Sequence, residues 1–311
     1  MFSFVSKQSS GFSYLTKEIF TYDDYLYNHS INVCAIGTAV AKKFSDHFSS
    51  VINASINSMP MIDLNDINNE ETQHYTCYYD DELYNISIGL FMHDLGKVMI
   101  DKAILNKKGK LTKEEFAEVQ KHSEEKGSIL LDKNNIANPF VRNITKLHHA
   151  RLFNNEKRCY PMDREPQSIP PYVKICKLAD IYDAMTSKRC YKDAFNPVGA
   201  VSDIFHKYAG QDRILQYILH SFVSSIGIYP PGSIIALVNG QIVYVLDSNG
   251  PTVLPITDCW ENPLQNKPDP IVIDQKSEDK ELQVDRRKPP IPPLEAFRII
   301  PSYLRDTIAP H

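Results

Sequence analysis

The chain has 311 residues, 42% hydrophobic and 23% charged, with a formal net charge of -4. That is enough apolar material for one large core and a smaller appendage, and too little basic excess to make a nucleic-acid duplex or an anionic membrane the expected partner. The N-terminal MFSFVSKQSSGFSY lacks a basic stretch followed by an apolar block, no later run is long enough to span a bilayer, and the six cysteines are scattered without a CxxC pair. The expectation is a cytoplasmic protein with reduced thiols.

In chain order, residues 1–24 form an N-terminal segment, and residues 25–225 carry apolar positions that return every three or four residues. Leu26, Val33, Ile36 and Val40 make the first such stripe, which predicts a helix. Within this region, residues 53–82 are polar and aperiodic and predict a loop insertion between two helices. Past Ile226, alternation replaces the helical period: SIIALV, then Asn239-Gly240, then QIVYVL, which predicts a β-hairpin. Beyond Pro263 the chain is rich in proline and mixed charge, as in an extended strap or tail. The expected fold is thus mainly α, with a small C-terminal β element and a Pro-rich tail over residues 226–311.

Five of the helical stretches place a metal-binding side chain on or beside their apolar stripe. His29 precedes Val33 and Ile36; His93, with Asp94 adjacent, follows Ile86 and Leu90; His122 lies one turn beyond Val119. His148, with His149 beside it, continues Val141 and Ile144, while Asp180 continues Val173 and Cys176, with Asp183 one turn later. A lone core-facing histidine is more often packed and hydrogen-bonded than metal-bound. Several inward-facing ionisable groups together need a compensating charge, and a cation cluster supplies it. An imidazole-rich, carboxylate-containing set without cysteine favours iron or manganese over a closed structural zinc, and two divalent ions fit the set if Asp94 bridges them. Open coordination positions would then serve water and substrate, as in a hydrolytic two-metal centre.

HDLGK at His93–Lys97, the separate His122, the His148-His149 pair and DIYDAMTSKRCYK from Asp180 resemble, in this order, the motifs of the HD-GYP family of cyclic di-GMP phosphodiesterases. The likeness runs from about Tyr25 to Ser233. It implies an HD-domain helical bundle in which His29, His93, Asp94, His122, His148, His149 and Asp180 are metal ligands. It further implies that Lys97 touches the scissile phosphate, that Arg189 and Lys192 grip ligand phosphates, and that Tyr160 and Asp183 lie at the substrate. Asp94 and Lys97 are the candidate catalytic residues. The implied partners are a cyclic dinucleotide, a GGDEF-type or other signalling protein, and a second copy of the chain.

Two departures from the family pattern carry expectations of their own. Tyr25 stands where some members carry a glutamate that allows a third metal, so two ions are expected. The segment after the histidine pair reads ARLFNNEKRCYP, longer than usual and without glycine, so the substrate mouth should be reshaped while the metal centre is untouched. The segment from His122 to Gly127 is also one residue longer than usual. The altered loop favours one alternative, a cyclic-dinucleotide receptor or adaptor without turnover. A second is an HD hydrolase of another nucleotide, against which the RCYK and GIYPPGS segments speak.

Overall fold

The computed structural model describes residues 15, 17–19, 24–57, 78–187, 195, 197–227, 229, 231–247, 252–273, 280–285, 288, 291 and 299–301, with the backbone alone at residues 24 and 49–57. These group into two units, Met1–Ala184 with Lys207–Ser225 and Met185–His206 with Ile226–His311. The helices are α1 (Asp24–Asn57), α2 (Asp80–Met92), α3 (Lys102–Leu105), α4 (Lys113–Lys121), α5 (Gly127–Lys133), α6 (Pro139–Leu147), α7 (Pro171–Thr186), α8 (Pro197–Tyr208) and α9 (Arg213–Ile226). A 3₁₀ turn, Leu95–Met99, follows α2, and a π turn, His122–Lys126, joins α4 to α5. Among the described residues no helix is long and apolar enough to cross a membrane.

Both ends of the loop expected at 53–82 are helical. α1 continues to Asn57 because no glycine or proline interrupts the chain between Gly37 and Pro60. α2 begins at Asp80, where Asp80, Asp81 and Glu82 fill its first turn and complement the positive end of the helix. The Glu82 carboxylate also accepts the Tyr79 N–H at 3.0 Å. Residues 58–77 lie outside the described residues, as do Cys77 and Cys190; Cys34, Cys159, Cys176 and Cys259 are free thiols.

α2 is the centre of the first unit. Every residue from Ile86 to Met92 is buried, the signature of a helix enclosed on all sides. Ile88, Phe91 and Met92 pack with Leu26 of α1, Leu95, Leu131 of α5 and Val141 of α6. Each such side chain contributes on the order of 2 kcal/mol by leaving water. α6 is started by Asn138, whose side chain accepts the N–H groups of Phe140 and Val141 at 3.0 and 3.3 Å, with Pro139 opening the helix. The consequence for function is positional: the end of α2, and with it His93-Asp94, lies in the middle of the packed helices.

In the second unit four strands, β1 (Ile234–Ala236), β2 (Ile242–Asp247), β3 (Thr252–Pro255) and β4 (Ile271–Val272), form one antiparallel sheet in sequence order. The Asn239-Gly240 turn joins β1 to β2 as predicted. Gly240 has φ +95°, and the Asn239 side chain accepts the Gln241 N–H at 3.0 Å. β3 and β4 were not anticipated; four and two residues are too short to display an alternation. Ile235, Leu237, Val243, Val245, Val253 and Ile273 form this unit's core. After a 3₁₀ turn at Lys280–Leu282, Val284 bridges to Leu237, while most of the Pro-rich tail is outside the described residues.

Candidate metal centre

His29 sits in the second turn of α1, and His93 and Asp94 follow the last turn of α2. His122 opens the π turn, His148 ends α6 with His149 beside it, and Asp180 lies in α7. All except His149 and Asp180 are buried. The extra residue noted between His122 and Gly127 is absorbed by the π turn, whose Gly127 N–H reaches back to the His122 carbonyl. Gly96 is what lets the 3₁₀ turn seat against it, since a Cβ at that position would stand 1.9 Å from the His122 carbonyl oxygen.

The histidine tautomers follow from their outer neighbours. His93 Nδ1 faces the Leu90 carbonyl at 2.9 Å, His122 Nδ1 the Val119 carbonyl at 2.6 Å, and His148 Nδ1 the Ile144 and Thr145 carbonyls at 3.1 Å. A carbonyl only accepts, so each Nδ1 carries the hydrogen and each Nε2 turns a lone pair inward. Those lone pairs meet other acceptors: His122 and His148 Nε2 are 3.2 Å apart, and His93 and His29 Nε2 are 3.3 Å apart. Asp94 lies between the two pairs. Its Oδ1 is 3.1 Å from His122 Nε2 and 3.6 Å from His148 Nε2, and its Oδ2 is 3.4 Å from His93 Nε2 and 3.5 Å from His29 Nε2.

Asp94 Oδ1 is buried without a hydrogen-bond partner, as expected for an acceptor surrounded by acceptors. Buried polar atoms are rarely left so, and cations among these atoms would satisfy all of them together. Two groups have ligand atoms mutually within 4.8 Å: Asp94, His122, His148 and His149, and His29, His93 and Asp94. Asp94 belongs to both, the arrangement of a bridging carboxylate. Asp180 falls outside those groups but its Oδ1 is 3.2 Å from His29 Nε2. The donor set therefore fits two divalent ions, and the residues predicted as ligands are brought together.

Protonation agrees with that fit. Burial alone would raise the Asp94 carboxyl, but the Lys97 ammonium beside it, first among its neighbours, holds it well below the usual carboxylate range. Asp180 is likewise held low against its burial, chiefly by His29. Burial pushes His122, His148 and, most strongly, His149 down, leaving neutral imidazoles of the kind that ligate metals. His29 differs: burial would lower it, yet Asp180, Asp183 and Asp94 raise it well above its ordinary value. Three carboxylates converging on one ring attract a cation.

Asp183, expected at the substrate, is placed instead behind His29. One Asp183 oxygen takes His29 Nδ1 at 2.6 Å and the other accepts from Asn32 Nδ2 at 2.8 Å. One helical turn beyond Asp180, its side chain reaches the far side of the same ring, a carboxylate that orients a ligand. Asn32 gave no sign of this role in the sequence beyond lying three residues from His29. Tyr25 stacks on His29 with ring centroids 5.8 Å apart and 8° between planes. Lys97 pairs with Asp94 Oδ2, and its side chain is about a quarter exposed. The Tyr160 ring lies 4.5 Å from that of His149 and edge-on to His122 at 6.2 Å. Arg189 and Lys192 lie outside the described residues.

Residues 80–214 match the family model described as HD domain. This segment is similar to an HD domain. Curated proteins similar to this chain include a cyclic di-GMP phosphodiesterase, PA4108, of Pseudomonas aeruginosa, 27% identical over 234 residues, covering 75% of this chain and 47% of that protein. The 3'3'-cGAMP-specific phosphodiesterase 2 of Vibrio cholerae is 36% identical over 102 residues, covering 33% and 19% respectively. The cyclic di-GMP phosphodiesterase response regulator RpfG of Xanthomonas campestris pv. campestris is 29% identical over 135 residues, covering 43% and 34%. The matches span less than half the length of each of these relatives.

Proposed function

We propose that this chain is a metal-dependent phosphodiesterase of the HD-GYP type that hydrolyses a cyclic dinucleotide, with cyclic di-GMP as first candidate. The observation that carries the reading is Asp94, a buried carboxylate set between two clusters of inward-facing imidazole lone pairs, one oxygen to each. The names of the curated relatives supply the substrate class. His29, His93 and Asp94 would hold one ion and Asp94, His122, His148 and His149 the other, with Asp180 on the His29 side. The imidazole-rich, thiolate-free donors favour iron or manganese. Bound divalent ions supply an acidified water and positive charge for phosphate oxygens.

The remaining work falls to the chain's own side chains. Asp183 and the backbone carbonyls of Leu90, Val119 and Ile144 hold the rings in one tautomer, so the donors need no reorganisation when charge develops. Lys97, the partly exposed lysine next to Asp94, would meet a non-bridging oxygen of the scissile phosphate. Tyr160 walls the His149 side. Arg189 and Lys192 are assigned to the phosphates by their place in RCYK alone.

The test is anaerobic purification with elemental analysis, followed by chromatography of products from cyclic di-GMP and 3'3'-cGAMP. Two first-row ions per chain and a linear dinucleotide product are expected. Metal without turnover, together with tight binding of either dinucleotide, would replace this reading with the receptor alternative that the altered 150–161 segment favours.

A further inference from the structure

Outside the metal centre, the described residues contain one more buried ionic network, built on Glu156 and Lys177. Their side chains are 1% and 7% exposed and meet at 3.0 Å. Lys177 Nζ also donates to the Ala150 carbonyl at 2.7 Å and lies 3.3 Å from Cys159 Sγ. The second face of the Glu156 carboxylate accepts from the Tyr208 hydroxyl at 2.7 Å and from Lys207 at 3.1 Å, while the first also accepts the Leu152 N–H at 2.7 Å. Every polar position of a buried carboxylate is thus used, which is the condition under which such a group is tolerated.

The network's place in the chain gives it a role. Residues 150–160 leave the metal centre at His149 and return to it, closed by the Tyr160 N–H donating to the His149 carbonyl at 3.1 Å. Asn155 and Arg158 hold φ of 66° and 61°, values that residues with side chains seldom adopt unaided. The segment's own preferences therefore do not account for its path. Glu156 fills its interior, and Lys177 ties both of its ends, at Ala150 and Cys159, to α7 one turn before Asp180. The element that carries a ligand thereby also carries the loop that sets Tyr160 against His149.

We propose that Glu156 and Lys177 are positioning residues that fix Tyr160 at the rim of the metal centre and thereby set the affinity for the cyclic-dinucleotide substrate. This rests on the function proposed above. Neither residue touches the metal ligands' inward atoms, so the effect is on substrate binding and not on metal retention.

Lys177→Met keeps the length of the side chain and leaves Glu156 paired with Lys207, Tyr208 and the Leu152 N–H. With metal-loaded full-length protein, its KM for cyclic di-GMP should rise about tenfold with kcat within about threefold. Turnover of bis(p-nitrophenyl) phosphate, a diester small enough to need the metals alone, should be unchanged, as should metal content. Hydrogen exchange of the amides from Leu152 to Tyr160 should accelerate, with α2 unaffected. Equal losses on both substrates, or parental KM with parental exchange, would overturn the proposal and leave the pair as core filling. If Lys177→Met does not fold, Glu156→Gln carries the same readouts and the same criteria. A parent that cleaves bis(p-nitrophenyl) phosphate but no cyclic dinucleotide sinks the proposed function, and the positioning role falls with it as an affinity determinant; accelerated loop exchange in the variant would then show the clamp alone.

Discussion

The cluster of candidate ligands and the loop that follows it are neighbours in sequence, yet they are held in place by different means. His93, His122 and His148 are each fixed by a backbone carbonyl three or four residues earlier on their own helix, so the local helix orients the ring. Residues 150–160 have no helix to do this and are tied by one carboxylate to side chains from α7 and α8. The first arrangement depends on local geometry and survives change elsewhere; the second depends on a buried ion pair, which is costly to break from one side. The metal centre can therefore stay constant while the mouth beside it is rebuilt.

Asp94→Ala should expose that contrast most strongly. It removes the atom common to both clusters, so metal content should fall by at least one ion per chain on elemental analysis, and turnover by more than about 100-fold, beyond the usual cost of losing an outer-shell partner. Lys97→Ala should retain both ions and the fold while slowing hydrolysis by about 10²-fold, the effect of losing one preorganised charge. A loss of metal in that variant would reassign Lys97 to the structure of the centre.

Asp183→Asn keeps the shape behind His29 but weakens the acceptor for its Nδ1–H. Metal affinity should drop by roughly ten- to a hundredfold, measured by competition with a chelator, and unchanged affinity would return Asp183 to the substrate role the sequence suggested. Arg189→Ala should leave metal untouched and weaken cyclic di-GMP binding by roughly ten- to a hundredfold, the loss of one charge-assisted phosphate contact of about 1.5–3 kcal/mol.

The smallest effect concerns acid. Burial would raise the Glu156 carboxyl, but Lys177, the Leu152 N–H and Tyr208 outweigh it and hold the group below its ordinary value. A carboxyl lowered by folding stabilises the protein at pH above its unfolded pKa, roughly 4.3, and that contribution is lost as pH falls through the lower folded value. Glu156→Gln should accordingly flatten the acid limb of thermal stability below about pH 4.5 relative to the parent. An acid limb of parental steepness would place the titration elsewhere.

By itself the sequence determined the helical first part, the Asn239-Gly240 hairpin and the set of inward-facing histidines and carboxylates, because these follow from apolar period and from turn residues within a few positions of one another. It also located the two length changes, at His122–Gly127 and after His149, without saying how the chain would absorb them. The tertiary structure decided those outcomes. One becomes a π turn seated on Gly96; the other becomes a loop wrapped around Glu156, whose partner Lys177 is 21 positions away. Asp183 was legible as facing inward, but which side of His29 it would take depends on how α1 crosses α7, and Asn32 completes that contact from across the helix pair. Local period fixes which face a side chain is on; only the packing of distant elements fixes which atom it meets.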